Sequence, residues 1–168
     1  REELIHLLKT VSNSLNETLY NLNEVVNIQN NIGLVTENVN LKNYIDNALD
    51  VLTEQIKLKN ATINYKVAND IEVNYNPAYL ESILFNIISN AIRYSHKDRD
   101  SQVTINYYLE NDMKVLEISD NGIGIDLERY GNKIFGMYKT FSDNPDSKGI
   151  GLFITKNQIE AMGGSITV

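Results

Sequence analysis

Asn86-Ile-Ile-Ser-Asn90-Ala-Ile-Arg93-Tyr94 is the stretch from which this chain becomes readable. It closes a helical pattern that begins near Pro77, a position where a missing N–H is harmless because first-turn donors lack intrahelical partners. At about 100° per residue, Asn86, Asn90 and Arg93 share roughly 60° of arc. They sit a quarter turn from an apolar stripe of Leu80, Ile83, Leu84, Ile87 and Ala91. A polar stripe on that border can line a pocket. An Asn carbonyl is a suitable hard ligand for Mg²⁺, and a guanidinium pairs with phosphate oxygens. Taken alone, two Asn four residues apart read as solvated helix surface.

Two stretches further on belong with the first. In Asp120-Asn-Gly122-Ile-Gly124, the acidic residue ends a strand in which Leu116, Ile118 and Asp120 share a parity. The apolar pair predicts that this face is the core, where a carboxylate is costly unless hydrogen-bonded. The exocyclic amine of adenine is a suitable partner, and Gly122 and Gly124 permit φ > 0 beneath a flat base. Locally, an Asp-Asn-Gly turn after a strand accounts for the same residues. In Lys148-Gly149-Ile150-Gly151-Leu152, a glycine turn opens a helix whose free N–H groups favour phosphate. Lys133, Lys139 and Lys148 supply local positive charge. No G-x-x-x-x-G-K-[ST] or G-x-G-x-x-G pattern is present. The order of the three stretches, rather than any one of them, points to a nucleotide site.

The chain has 168 residues, 42% of them hydrophobic, enough for one domain with a helical appendage. A net charge of −7 argues against a nucleic-acid partner. The same charge opposes ATP, so binding requires local cations and a bound Mg²⁺. No Cys is present, which excludes disulfides and thiolate metal sites. No apolar run approaches the ~20 residues that span a bilayer, so no membrane contact is expected from this chain. It opens on Arg-Glu-Glu, already in a helical pattern, and reads as a fragment of a longer, cytoplasmically placed catalytic portion.

In residues 1–32, Leu4, Leu8, Val11, Leu15, Thr18, Leu22 and Val25 follow a heptad-like seam, which predicts a long helix packed on another helix. Residues 33–40 read as a linker. Leu41, Ile45, Ala48, Leu52 and Ile56 form one helix face, and residues 61–67 and 71–75 read as short strands. Residues 102–109 and 113–120 form a hairpin through Glu110-Asn111-Asp112. The stretch 125–148 is irregular, a lid that orders on ligand. A helix is expected from Gly149 to Met162, a stop at Gly163-Gly164, and a strand from Ser165. The predicted fold is α+β: a two-layer sandwich with helices on one sheet face, over residues 41–168.

With these residues in place, the chain resembles the ATP-binding catalytic domain of bacterial sensor histidine kinases, a Bergerat-type fold shared with gyrase, mismatch-repair ATPases and a heat-shock chaperone. Asn86 to Tyr94 is similar to the N box and Asp120 to Gly124 to the G1 box. Ile134-Phe135-Gly-Met-Tyr138 is similar to the F box and Gly149 to Leu152 to the G2 box. The resemblance implies ATP and Mg²⁺, with Asn90 as metal ligand, Asn86 its polar neighbour, and Asn86 and Arg93 serving catalysis. It implies that Arg93, Lys148 and Lys139 reach phosphates, that Tyr94 flanks the nucleotide, and that Asp120 reads the adenine amine. Gly122, Ile123 and Gly124 would lie beneath the base. Gly149, Ile150, Gly151 and Leu152 would receive phosphates, and Phe135 and Tyr138 would anchor the lid. Residues 1–32 resemble the second helix of the dimerisation hairpin, implying a homodimer and a response-regulator receiver domain as partners.

The phosphoacceptor does not match. The family carries its His on a helix before residue 1, followed by an acid and a Pro. His6 has neither neighbour, and His96 follows the N-box helix in a loop; both read as structural. Phosphotransfer from ATP to His is therefore expected to need a helix outside this chain. Hydrolytic members of the fold place a Glu base where Asn86 stands, and an amide cannot accept that proton. Kinase chemistry is thus favoured over an ATP-driven clamp, and the intact motifs favour it over a nucleotide-binding or dimerisation module without phosphotransfer.

Overall fold

The computed structural model describes residues 35–136 and 149–168, together with residues 5, 11 and 12. Strand β1 (Glu37–Asn40) leads into helices α1 (Leu41–Val51) and α2 (Thr53–Leu58). Strands β2 (Thr62–Lys66) and β3 (Glu72–Tyr75) precede the long helix α3 (Pro77–Arg93). The hairpin of β4 (Gln102–Glu110) and β5 (Met113–Asp120) follows, then the short helix α4 (Leu127–Tyr130), a 3-10 turn (Gly131–Lys133) and helix α5 (Gly151–Ala161).

A mixed sheet in the order β2-β4-β5 forms one layer, with β2 parallel and β5 antiparallel to β4. Its inner face runs in rows. Ile63 stands beside Val103, and Val103 beside Asp120; Tyr65, Ile105 and Ile118 form the next row. Against this face pack Leu41, Ile45 and Ala48 of α1 and Leu80, Leu84, Ile88, Ala91 and Ile92 of α3, all buried. This is the expected two-layer sandwich. A second apolar cluster joins α3 to α5 through Tyr79, Ile83, Ile150 and Ile154. Helix α3 is therefore buried on two sides, against the sheet and against α5. On α3, Ile87 is half-buried, while Ile88 and Ile92 are fully covered and extend the predicted stripe.

Several local expectations are corrected. The linker over 33–40 contains β1, which pairs antiparallel with β3 and buries Val39 against Val73. Its lone apolar residue among Glu and Asn hid it. Asn40 then caps α1, its side chain accepting from the Asn43 N–H at 3.0 Å. The helix face from Leu41 to Ile56 is broken at Leu52, whose φ and ψ are −88° and 3°. The Thr53 hydroxyl donates to the Leu49 carbonyl at 3.3 Å, a back-bond that competes with the helix ladder. Within the irregular stretch, residues 127–133 are helical, started by Asp126, whose side chain accepts from Arg129 N–H.

The glycine stop holds. Gly163 has φ +79°, its N–H donates to the Glu160 carbonyl, and Gly164 N–H donates to the Ile159 carbonyl, a Schellman closure. Residues 165–168 form no strand. They pair with no described strand and are mostly exposed, so β-favouring residues have no surface on which to act. The hairpin closes through Asn111 and Asp112, both at positive φ (50° and 63°), as a two-residue turn matched to strand twist. Ile5, Val11 and Ser12 are helical. The remainder of the 1–32 seam lies outside the described residues.

Candidate functional site

The polar stripe of α3 lies where periodicity places it. Asn86, Asn90, Arg93 and Tyr94 are all half-buried, flanked by the buried Ile88, Ala91 and Ile92. The side chains of Asn86, Asn90 and Arg93 make no hydrogen bond or ion pair with any described residue. With no partner among the described residues, these half-buried amides and this guanidinium keep their polar atoms for solvent or a ligand. Arg93 also sits in the last turn of α3, where a cation complements the helix dipole.

The turn after β5 docks onto the end of α3. The Ile123 N–H donates to the Tyr94 carbonyl at 2.9 Å. A Cβ placed on Gly122 would lie 2.4 Å from that same Tyr94 oxygen and 2.7 Å from Asp120 Oδ1. Only glycine fits there, because of close backbone approach rather than positive φ. Gly124 does adopt φ +70°, with open space around its Cα. Asp120 occupies the core-facing row beside Val103, as parity predicts. It is exposed rather than buried, because it ends the strand beyond the covering helices. The expected desolvation cost is therefore small. Its Oδ1 accepts the Gly122 N–H at 2.8 Å, and it has no other partner among the described residues.

The glycine turn before α5 meets the same helix. A Cβ placed on Gly151 would lie 3.6 Å from Asn86 Oδ1, so the start of α5 abuts the polar stripe. Gly149 has φ +65° and stands before the helix, which begins at Gly151 rather than at Gly149. Asn40, Asn76 and Asp126 cap α1, α3 and α4 with side-chain oxygens, whereas α5, like the short α2, starts without a side-chain cap. Its first-turn N–H groups are left for another acceptor. Ile150 is buried against α3, which fixes the turn; Leu152 and Gly151 are half-buried.

Of the lid residues, Ile134 is buried, and the Phe135 ring centroid lies 5.7 Å from Lys156 Nζ on α5. Lys133 is exposed. Tyr138, Lys139 and Lys148 lie outside the described residues. His96 follows α3, and its Nδ1 accepts the Asp98 N–H at 3.1 Å, a local structural role. Among the described residues no group of His, Cys, Asp or Glu forms a metal cage. No described helix is long and apolar enough to cross a membrane.

Sequence reasoning missed three supports of this site. Asn121 clips the turn to the segment after α3: its Oδ1 accepts Gln102 N–H, and its Nδ2 donates to the Asp100 carbonyl, each at 2.9 Å. Arg99 donates to the Gly122 carbonyl at 2.9 Å. Gln158, fully buried in α5, donates to Ser82 Oγ of α3 at 3.1 Å. A Gln at a core-facing helix position is a readable signal. Arg99 within Lys97-Asp98-Arg99-Asp100 carries none, since a charged loop is ordinarily solvated.

Residues 75–168 match the family described as histidine kinase-, DNA gyrase B-, and HSP90-like ATPase. The chain belongs to this family. Its relatives include the aerobic respiration control sensor protein ArcB of Escherichia coli, 40% identical over 95 residues, covering 53% of this chain and 12% of ArcB. The signal transduction histidine-protein kinase ArlS of Staphylococcus aureus is 30% identical over 104 residues, covering 60% of this chain and 23% of ArlS. The chain thus spans about a quarter or less of the length of these curated relatives. Among solved structures, the Acinetobacter baumannii histidine kinase AdeS has a TM-score of 0.78 at 22% identity, covering 96% of this chain and 74% of that one. The catalytic domain of histidine kinase ThkA has a TM-score of 0.64 at 21% identity, covering 75% and 80%. The fold is that of histidine kinase catalytic domains.

Proposed function

We propose that this chain is the ATP-binding catalytic core of a two-component sensor histidine kinase, transferring the γ-phosphoryl group of ATP to a His on a helix outside it. One observation carries the reading. Asn86, Asn90 and Arg93 lie half-buried on one face of α3, without a side-chain partner among the described residues, beside the uncapped start of α5. In this reading Asp120 accepts the adenine amine, and Gly122, Ile123 and Gly124 form the floor under the base. Tyr94 flanks the nucleotide, while Arg93 and the α5 start, from Gly149 through Ile150 and Gly151 to Leu152, take the phosphates. Tyr138, Lys139 and Lys148 are assigned to the nucleotide site by the sequence resemblance alone. Asn90, with Asn86 beside it, supplies amide oxygens fit for Mg²⁺, which neutralises and orients phosphates when bound.

The residues present favour transfer over hydrolysis. Asn86 cannot take a proton from water, so the site offers orientation and charge rather than a base. Phosphoryl transfer through a loose transition state needs little more than these. The proposal extends to a homodimer built on residues 1–32, to a receiver domain as phosphoryl acceptor, and to a cytoplasmic setting. The names of ArcB, a sensor protein, and ArlS, a signal transduction histidine-protein kinase, support the kinase reading itself. The test combines this chain with the His-bearing helix of its parent protein and γ-labelled ATP. Acid-labile, base-stable phosphate on that helix is expected. Its absence, with ATP binding intact, would rule out the kinase assignment.

A further inference from the structure

We infer that Arg99 is a positioning residue for the base-reading turn, holding Gly122 so that Asp120 keeps one carboxylate oxygen for the nucleotide. The inference rests on the proposed role of Asp120 and deepens it. The Gly122 carbonyl and the Ile123 N–H belong to one peptide plane. Arg99 Nη2 donates to that carbonyl at 2.9 Å, and that N–H donates to the Tyr94 carbonyl at 2.9 Å. Both ends of the plane are therefore held, which fixes the rotation on either side of it. The preceding plane is held in turn, because the Gly122 N–H donates to Asp120 Oδ1 at 2.8 Å. That bond spends one carboxylate oxygen on the backbone and orients the other.

Glycine at 122 makes such a clamp necessary. The approach to Tyr94 excludes any Cβ, so the residue must be glycine, which rotates more freely than any other. Asn121 steadies the neighbouring segment through Gln102 and Asp100, but neither of its side-chain bonds reaches the Gly122 carbonyl. Arg99 alone among the described side chains does. Arg99 makes no ion pair with a described residue, although Asp98 and Asp100 flank it in sequence, so its role is this carbonyl contact.

The experiment compares the whole chain with R99A and R99K for calorimetric binding of Mg-ATP, adenosine and inorganic tripolyphosphate. R99A should weaken ATP and adenosine by the same factor, about three- to tenfold, the usual worth of one such hydrogen bond. It should leave tripolyphosphate unchanged, and R99K, which keeps a donor, should recover most of the loss. Amide exchange at Ile123 should quicken in R99A. Unchanged adenosine affinity in R99A, or equal loss of adenosine and tripolyphosphate, would overturn the inference while leaving the nucleotide site standing. Failure of the unsubstituted chain to bind ATP would instead remove the nucleotide reading and this inference together.

Discussion

Individual atoms decide what the turn after β5 tolerates. Asp120 Oδ1 accepts the Gly122 N–H, so an amide substituted there can keep that bond with its oxygen and present a donor to the nucleotide. Asp120→Asn should therefore weaken ATP binding at least ~10-fold, since a donor facing the adenine amine loses a charge-assisted bond and adds a repulsive contact. Asn86→Ala, on the phosphate side, should cost markedly less affinity. Calorimetric titration of both variants checks this, and equal affinities would contradict the adenine assignment. A second contrast separates crowding from conformation. Gly122→Ala places a Cβ 2.4 Å from the Tyr94 carbonyl, so the turn must move off α3. Overpacking of this kind costs about 1–3 kcal/mol. Gly131→Ala meets open space at a helical φ of −43°, and should be neutral or stabilising by about 0.4–1 kcal/mol. Denaturant unfolding of the pair gives the sign of each.

At the scale of elements, α3 organises the molecule because it packs on both sides. Tyr75, at the end of β3, touches both apolar clusters, and burial pushes its phenol up to about 12. The folded state thus holds the neutral phenol more tightly than the unfolded chain, whose phenol ionises near pH 10. This contribution is whole below pH 10 and is lost as pH rises towards 12. At pH 11 the chain should lose about 1 kcal/mol more stability, relative to pH 8, than Tyr75→Phe does. Denaturant midpoints at the two pH values measure it, and parallel losses would assign the alkaline slope elsewhere. Elements with a strong period were legible: α3, α5 and the β4–β5 hairpin follow from apolar spacing and turn residues. β1 was not, because Val39 is its single buried side chain, and its pairing with β3 comes from chain contacts more than thirty residues away. The site divides similarly. The stripe, the carboxylate and the glycines announce themselves by residue type. Arg99 and Asn121 act through backbone carbonyls that no sequence pattern displays.

For the whole molecule, the governing quantity is charge. The chain carries −7, and ATP adds a further polyanion, so long-range electrostatics oppose the ligand. Arg93 is the cation on the α3 stripe, and a single partly exposed guanidinium offsets little of that repulsion. The first-turn N–H groups of α5 supply partial charge only. In the proposed reading, a divalent ion held by Asn90 would supply the missing positive charge, and metal dependence would then belong to the phosphates and not to the base. Removing Mg²⁺ with EDTA should lower ATP affinity at least ~10-fold and leave adenosine affinity unchanged, because adenosine carries no charge to neutralise. Asn90→Ala should reproduce the ATP loss in the presence of Mg²⁺ and become insensitive to EDTA. If adenosine binding falls with EDTA as well, the ion supports the fold or the turn at Asp120 rather than the phosphates. If Asn90→Ala keeps the full EDTA effect, the metal is held without the α3 stripe.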